Sequence, residues 1–158
     1  MLSRKSKYAL KAMLLLARES ARGPILVAEV AARERIPKKF LELILLDLKH
    51  HGFLQSKKGK GGGYSLGRPA SEITIGAILR LLDGPLAAVP CVSQSAYRPC
   101  EECVDEATCG IRLVMKEVRD ATAQILDNVT LAQVNAATLP DVLPLGIPLA
   151  KIFQPRES

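Results

Sequence analysis

The residues best equipped for chemistry are four cysteines, Cys91, Cys100, Cys103 and Cys109, which fall in one window of a chain that has no others. Their order is C-x8-C-x2-C-x5-C. In a cytosolic setting, where disulfides are mostly reduced, such clustering favours metal or redox chemistry over structural bridges. Three chemistries fit. An iron-sulfur cluster needs several convergent thiolates, and four in one loop meet that need without outside help. Structural zinc also accepts four thiolates, and Cys100-x2-Cys103 is a usual half-site, although a second close pair is missing. A metal-free switch would oxidise a pair such as Cys100 and Cys103. Against it, Glu101, Glu102, Asp105 and Glu106 are expected to raise nearby thiol pKa values, whereas Cys109, expected in the first turn of a helix, would feel the opposite influence. A thiol oxidoreductase is disfavoured, because no βαβ pattern surrounds the pair and no nucleotide motif appears. We expect no enzyme.

A second set of residues is suited to phosphate. Lys57-Lys58-Gly59-Lys60-Gly61-Gly62-Gly63 joins two strand-like runs, Phe53 to Lys57 and Tyr64 to Leu66. Glycines let the loop backbone approach a partner closely, and the lysines supply charge. The run lacks the Gly-Lys-Ser/Thr ending of a nucleotide P-loop. Immediately before it, Phe40, Leu41, Ile44, Leu45 and Leu48 mark a wide buried stripe on a helix with Pro37 at its first position. Lys38, Lys39 and Glu42 lie near the helix start, where a recognition helix presents side chains to base edges and phosphates. Gly52 closes that helix in a left-handed conformation. His50 and His51 sit in its last turn, a favourable place for a partial positive charge rather than a metal site.

Charge is divided by region. Residues 1–68 carry 15 Lys/Arg against 5 Asp/Glu, a net of +10, while the rest carries 7 against 11, a net of −4, within a total of +6. A basic front half is the footprint of a phosphate-contacting module. At 158 residues and 48% hydrophobic the chain can bury a core. No apolar run approaches the roughly 18 residues of a membrane span. The charged start, Met1 to Lys5, lacks a following cleavage pattern, so a cytoplasmic location is expected.

Other elements must hold these two sets. Tyr8, Ala12, Leu15 and Leu16 predict an amphipathic helix over 3–18, with Arg4, Lys5, Lys7 and Lys11 outward or sideways. A short helix follows Gly23-Pro24, from Val27 to about Glu34. Thr74 caps a helix carrying Ile75, Ile78, Leu79 and Leu82 on one face. A long helix from about Glu106 to Asn128 carries Ile111, Val114, Met115, Val118, Ala121, Ile125 and Val129 at threes and fours, with Lys116, Glu117, Arg119 and Asp120 between them. Such a helix reads most economically as a homodimer seam. Thr130 to Gln133 fits a capping box, and prolines at 140, 144, 148 and 155 break the tail. The expected class is mainly α, a winged helix-turn-helix with a two-stranded β-wing and a long C-terminal dimerisation helix. Its parts are a DNA-binding domain over 1–84, a cysteine-rich sensor loop over 85–109, the dimerisation helix and a short following helix over 106–137, and a Pro-rich tail over 138–158.

From Leu2 to about Val134 the chain resembles the Rrf-two family of bacterial winged-helix regulators. The most specific pieces are Lys7-Tyr8-Ala9-Leu10, Ile36-Pro37-Lys38-Lys39-Phe40-Leu41-Glu42, Gly61-Gly62-Gly63-Tyr64-Ser65-Leu66 and Thr130-Leu131. The resemblance implies a sequence-specific regulator of transcription, a repressor by preference, that binds double-stranded DNA. It places DNA contacts at Pro37, Lys38, Lys39, Phe40 and Glu42 and, on the wing, at Lys58, Gly59, Lys60, Gly61 and Gly62. Leu43 stands where the IscR branch has a DNA-reading glutamine, so that branch's operator does not carry over. Cluster-bearing members use three loop cysteines, matched here by Cys91, Cys103 and Cys109, plus a ligand that varies. Arg112 occupies the place of the histidine ligand in one branch and Lys7 that of the aspartate ligand in another; by count and position Cys100 is the candidate fourth.

Overall fold

The computed structural model describes residues 2–136. Helix α1, Arg4–Arg18, starts where Ser3 accepts a hydrogen bond from the Ser6 amide, and it buries Ala9, Ala12, Met13, Leu15 and Leu16. Helix α2, Val27–Glu34, stops at Arg35, whose backbone is left-handed (φ 54°). Helix α3, Lys38–His50, buries Leu41, Ile44, Leu45 and Leu48. Pro37 is the N-cap, one position earlier than expected. Phe40 does not join the buried stripe: it is 37% exposed, its ring meeting Tyr8 edge-on at 5.8 Å. Its direction on the helix, between the core face and the outer face, explains the difference.

Gly52 (φ 75°) ends α3 as expected. The Phe53 amide bonds to Leu48 O at 2.9 Å and the Gly52 amide to Lys49 O at 3.0 Å, the paired pattern that satisfies the last carbonyls of a helix. The chain then enters β1, Leu54–Lys57, which pairs antiparallel with β2, Gly63–Leu66, in the register Leu54 to Leu66 and Lys57 to Gly63. Ile25 bridges onto Tyr64 through two backbone bonds of 2.9 and 2.8 Å and so anchors the hairpin on the α1–α2 connection. A Cβ at Gly63 would collide with the Ile25 carbonyl, so this close approach requires glycine.

Helix α4, Ile75–Asp83, is capped by Thr74, whose Oγ1 accepts from the Ala77 amide at 3.2 Å. It packs on α1 and on α5, Gly110–Asn128. The long helix thus begins four residues later than predicted. Asp105 is the cause: its carboxylate accepts from the Ala107 amide at 3.0 Å and the Thr108 hydroxyl at 2.8 Å, a local turn that competes with helix. Helix α6, Leu131–Ala136, opens with the anticipated reciprocal cap between Thr130 and Gln133. Leu131 is fully buried in the hydrophobic core with residues of α1, α3 and α4, and Asn135 donates to Leu14 O at 3.0 Å. The Pro-rich tail expected over 138–158 lies outside the described residues.

Candidate nucleic-acid interface and cysteine cavity

Burial of Leu41, Ile44, Leu45 and Leu48 fixes which side of α3 faces out. On or beside that side lie Lys38, Lys39, Glu42, Leu43, Leu46, Lys49 and His50, all exposed. Lys38 approaches Glu42 at 3.8 Å, an exposed pair that neutralises little. Among the described residues Lys39, Lys49, Lys58 and Lys60 have no carboxylate within ion-pair distance. By contrast Lys5 pairs with Asp47 at 2.8 Å and Lys11 with Glu34 at 3.4 Å, so part of the basic charge on α1 is engaged within the fold. Lys5 is also the chief reason the Asp47 carboxyl titrates below its ordinary range. His51 faces the carbonyl of Asp47 at 2.9 Å, in keeping with a helix-end role.

On the wing, Lys58, Gly59, Lys60 and Gly61 are exposed at the tip. Gly59 and Gly61 have left-handed backbones, with φ of 83° and 73°. Gly62 is different: it is buried, its amide bonds to Gly59 O at 2.9 Å, and a side chain there would meet the Lys57 carbonyl. Its contribution is to close the loop. Pro37 is exposed at the entry to α3.

All four cysteines line one cavity of about 700 Å³, together with Val89, Pro90, Arg98, Pro99, Glu101, Glu102, Ile111 and Arg112. All four are free thiols; Cys91 is buried and Cys100 exposed, with Cys103 and Cys109 between. They share the cavity without closing on a point: among the described residues no three metal-ligating side chains converge enough to hold an ion. Cys109 is the N-cap of α5 rather than a member of its first turn. The backbone N–H groups that open the helix, Arg112's above all, lower its thiol pKa, although its side chain closes no capping hydrogen bond. Burial raises the Cys103 thiol, followed by the neighbouring Cys109 and Cys100 thiols. Of the four carboxylates expected to raise these thiols, Glu106 is turned to Tyr97 (2.6 Å) and Arg112 (3.6 Å) and Asp105 to its own turn, while Glu101 and Glu102 are exposed on the wall of the cavity.

Two residues that matter here were not singled out in the sequence. Arg119, expected among the outward charges of α5, is only 11% exposed; its Nη1 donates to Val92 O at 2.8 Å while Nη2 pairs with Asp120 at 2.6 Å. It clamps the segment after Cys91 onto the long helix. Gly76 lets α5 approach α4, where Arg80 pairs with Asp127 through two hydrogen bonds, one of them Nη2 to Oδ2 at 2.8 Å. The sequence carries no mark of Arg119's direction, and a glycine in the first turn of α4 is the one trace of the other.

Helix α3 behind a tight turn, with a glycine-lysine hairpin after it, defines a winged helix-turn-helix regulator. The chain belongs to the Rrf2 family, whose model, described as an iron-dependent transcriptional regulator, matches residues 2–137. It is 43% identical over 98% of its length to an rrf2-like HTH-type transcriptional regulator of Rhodobacter capsulatus, covering 99% of that protein. It is 33% identical over 84% of its length to the HTH-type transcriptional regulator IscR of Serratia proteamaculans, covering 77% of it. Among solved structures, CymR, the global cysteine regulator of B. subtilis, superposes with a TM-score of 0.73 at 30% identity, over 87% of this chain and 98% of that one. IscR of T. potens superposes with a TM-score of 0.70 at 26% identity, over 87% of each. The protein is therefore a transcriptional regulator of a DNA-binding family and not an enzyme. No helix among the described residues is long and apolar enough to cross a membrane.

Proposed function

We propose that this protein is a homodimeric, sequence-specific repressor whose affinity for its operator is set by the state of Cys91, Cys100, Cys103 and Cys109. The observation that carries the reading is the four-thiol cavity walled by Ile111 and Arg112 of α5, in a chain whose other end is a DNA-reading head. In this reading Lys38, Lys39, Glu42 and Pro37 meet the major groove, Phe40 supports them against Tyr8, and Lys58, Gly59, Lys60 and Gly61 meet phosphate, with Gly62 shaping the wing.

The donor set suits a soft metal centre: four thiols and no competing histidine around a single cavity. Cys91, Cys100, Cys103 and Cys109 would hold an iron-sulfur cluster or, as the second reading, zinc. When bound, an iron-sulfur centre supplies sensitivity to oxidants and to iron supply. The chain's own residues do the rest. Arg119 holds the Cys91 segment on α5, and Arg112 pairs with Glu106 at its start. At its far end α5 is tied to the head by Arg80 and Asp127, by the Ile75 amide to Val129 O (2.9 Å) and by the Leu131 amide to Ile73 O (3.0 Å). A shift of the loop is thereby transmitted to the head through backbone hydrogen bonds.

Helix α5 has no buried residue along its 19, and Ile111, Val114 and Val118, at intervals of three and four, are exposed along one side of it. An apolar stripe of this kind supports a partner helix, and a second copy satisfies the two-fold symmetry common to operators. The test is anaerobic purification followed by iron, sulfide and zinc analysis and sedimentation. Brown dimeric protein with iron and sulfide, both absent from a Cys103→Ser variant, is the expected result. Colourless protein with one zinc per chain favours the zinc reading. Monomeric protein overturns the dimer, and metal-free protein overturns both metal readings and leaves thiol oxidation as the state that would set affinity.

A further inference from the structure

Residues 39, 43, 46 and 50 follow one another along α3 at intervals of four, three and four, so they form the stripe opposite the buried Leu41, Ile44, Leu45 and Leu48. The ends of this stripe are basic or titratable, Lys39 and His50. Its middle is aliphatic: Leu43 is 64% exposed and Leu46 40% exposed. A single exposed leucine is ordinary. Two consecutive ones on the outermost line of a recognition helix, flanked by Lys38, Lys39 and Lys49 and by the wing lysines Lys58 and Lys60, are placed on the surface whose charge complements a duplex.

We infer that Leu43 is a specificity-determining residue that reads the C5-methyl group of a thymine in the major groove. The inference rests on the DNA-reading assignment of α3. A leucine offers no hydrogen bond, so it cannot distinguish bases by their donors and acceptors; the one apolar feature on a base edge in the major groove is the thymine methyl. Residues of the N-terminal half of a recognition helix reach the base edges, which selects Leu43 over Leu46, one turn further on. Glu42 beside it is exposed and can accept from a neighbouring cytosine amino group. The outer face of α3 is thus built to read a thymine by its methyl, flanked by lysine contacts to phosphate.

The test uses full-length protein and duplexes it enriches from a randomised pool. Each thymine of an enriched duplex is replaced singly by deoxyuridine, which deletes the methyl group and leaves every hydrogen-bonding group in place. Binding is measured for the wild type and for Leu43→Ala, a substitution at an exposed site that leaves the core intact. At one thymine per half-site, deoxyuridine should weaken wild-type binding by about fourfold, the value of one buried carbon. In Leu43→Ala the two duplexes should bind equally. Wild-type binding indifferent to deoxyuridine at every position overturns the inference, as does a methyl effect of the same size in Leu43→Ala; in both cases DNA reading stands. Failure to enrich any duplex overturns the DNA-reading assignment itself, and the inference with it.

Discussion

The clamp between Arg119 and the Cys91 segment makes a quantitative prediction about thiol access. Replacing Arg119 by Ala removes a charged donor, 11% exposed, from the Val92 carbonyl 2.8 Å away. A hydrogen bond from a charged group contributes about 1.5 to 3 kcal/mol. Cys91, one residue before Val92, is buried, so its alkylation requires the segment to lift from α5. If opening precedes labelling, its equilibrium rises by the energy of that bond, about 10- to 150-fold at 1.4 kcal/mol per decade. The assay is timed alkylation of reduced, metal-free protein with peptide-resolved mass spectrometry. Cys100, already exposed, serves as the internal standard and should label at an unchanged rate. Thermal unfolding of the head, whose core does not include Arg119, should be little altered. An unchanged Cys91 rate beside a normal Cys100 rate would refute the clamp as a restraint on the loop. Equal acceleration of all four thiols would show general unfolding instead.

Three further outcomes are expected. Gly63→Ala places a methyl group against the Ile25 carbonyl at a backbone φ of 138°; a destabilisation of about 2 to 3 kcal/mol in chemical denaturation is expected, and wild-type stability would show that the hairpin can detach from Ile25 at no cost. Lys58→Ala and Lys60→Ala should each flatten the dependence of log affinity on log salt by about 0.9 for every phosphate that the removed lysine had neutralised, whereas an unchanged slope would place the wing away from DNA. Because Lys5 lowers the Asp47 pKa, the folded state gains stability from this carboxylate above its ordinary value of 3.8 and loses it as pH falls through the depressed folded value. Both side chains are more than a third exposed, so the pair contributes less than about 1 kcal/mol; Asp47→Asn should narrow the difference in melting temperature between pH 6 and pH 3, and an unaltered difference would remove Asp47 from the acid response.

Much of this architecture was legible in residue order because local signals agreed with one another. Thr74 caps where predicted, Gly52 terminates α3, and the Thr130–Gln133 box opens α6. The failures occurred where a side chain's destination depends on another element. Phe40 fits the apolar count of a buried stripe, yet its angular position turns it towards Tyr8 at the margin. Helix α5 begins at Gly110 because Asp105 captures the preceding amides, a local competition invisible to periodicity. Asp105 and Glu106 were counted as free charges beside the cysteines, but Thr108 engages the first and Tyr97 and Arg112 the second. Arg119 is the most instructive: in sequence it is one charge among several on a polar face, and its buried bond to Val92 is set by the fold of a loop 27 residues earlier.

The central claim is that the four cysteines decide when the winged head binds DNA, and one comparison tests it most directly. Affinity for a single enriched duplex is measured with full-length protein in three states: as isolated without air, metal-free and reduced, and oxidised. Couplings between sites are typically about 1 to 3 kcal/mol, so the states should differ by about 5- to 150-fold, with the difference abolished in Cys91→Ser and Cys103→Ser variants. Equal affinity in all three states of the unaltered protein would contradict the account and leave a constitutive DNA-binding protein with an inert cysteine loop.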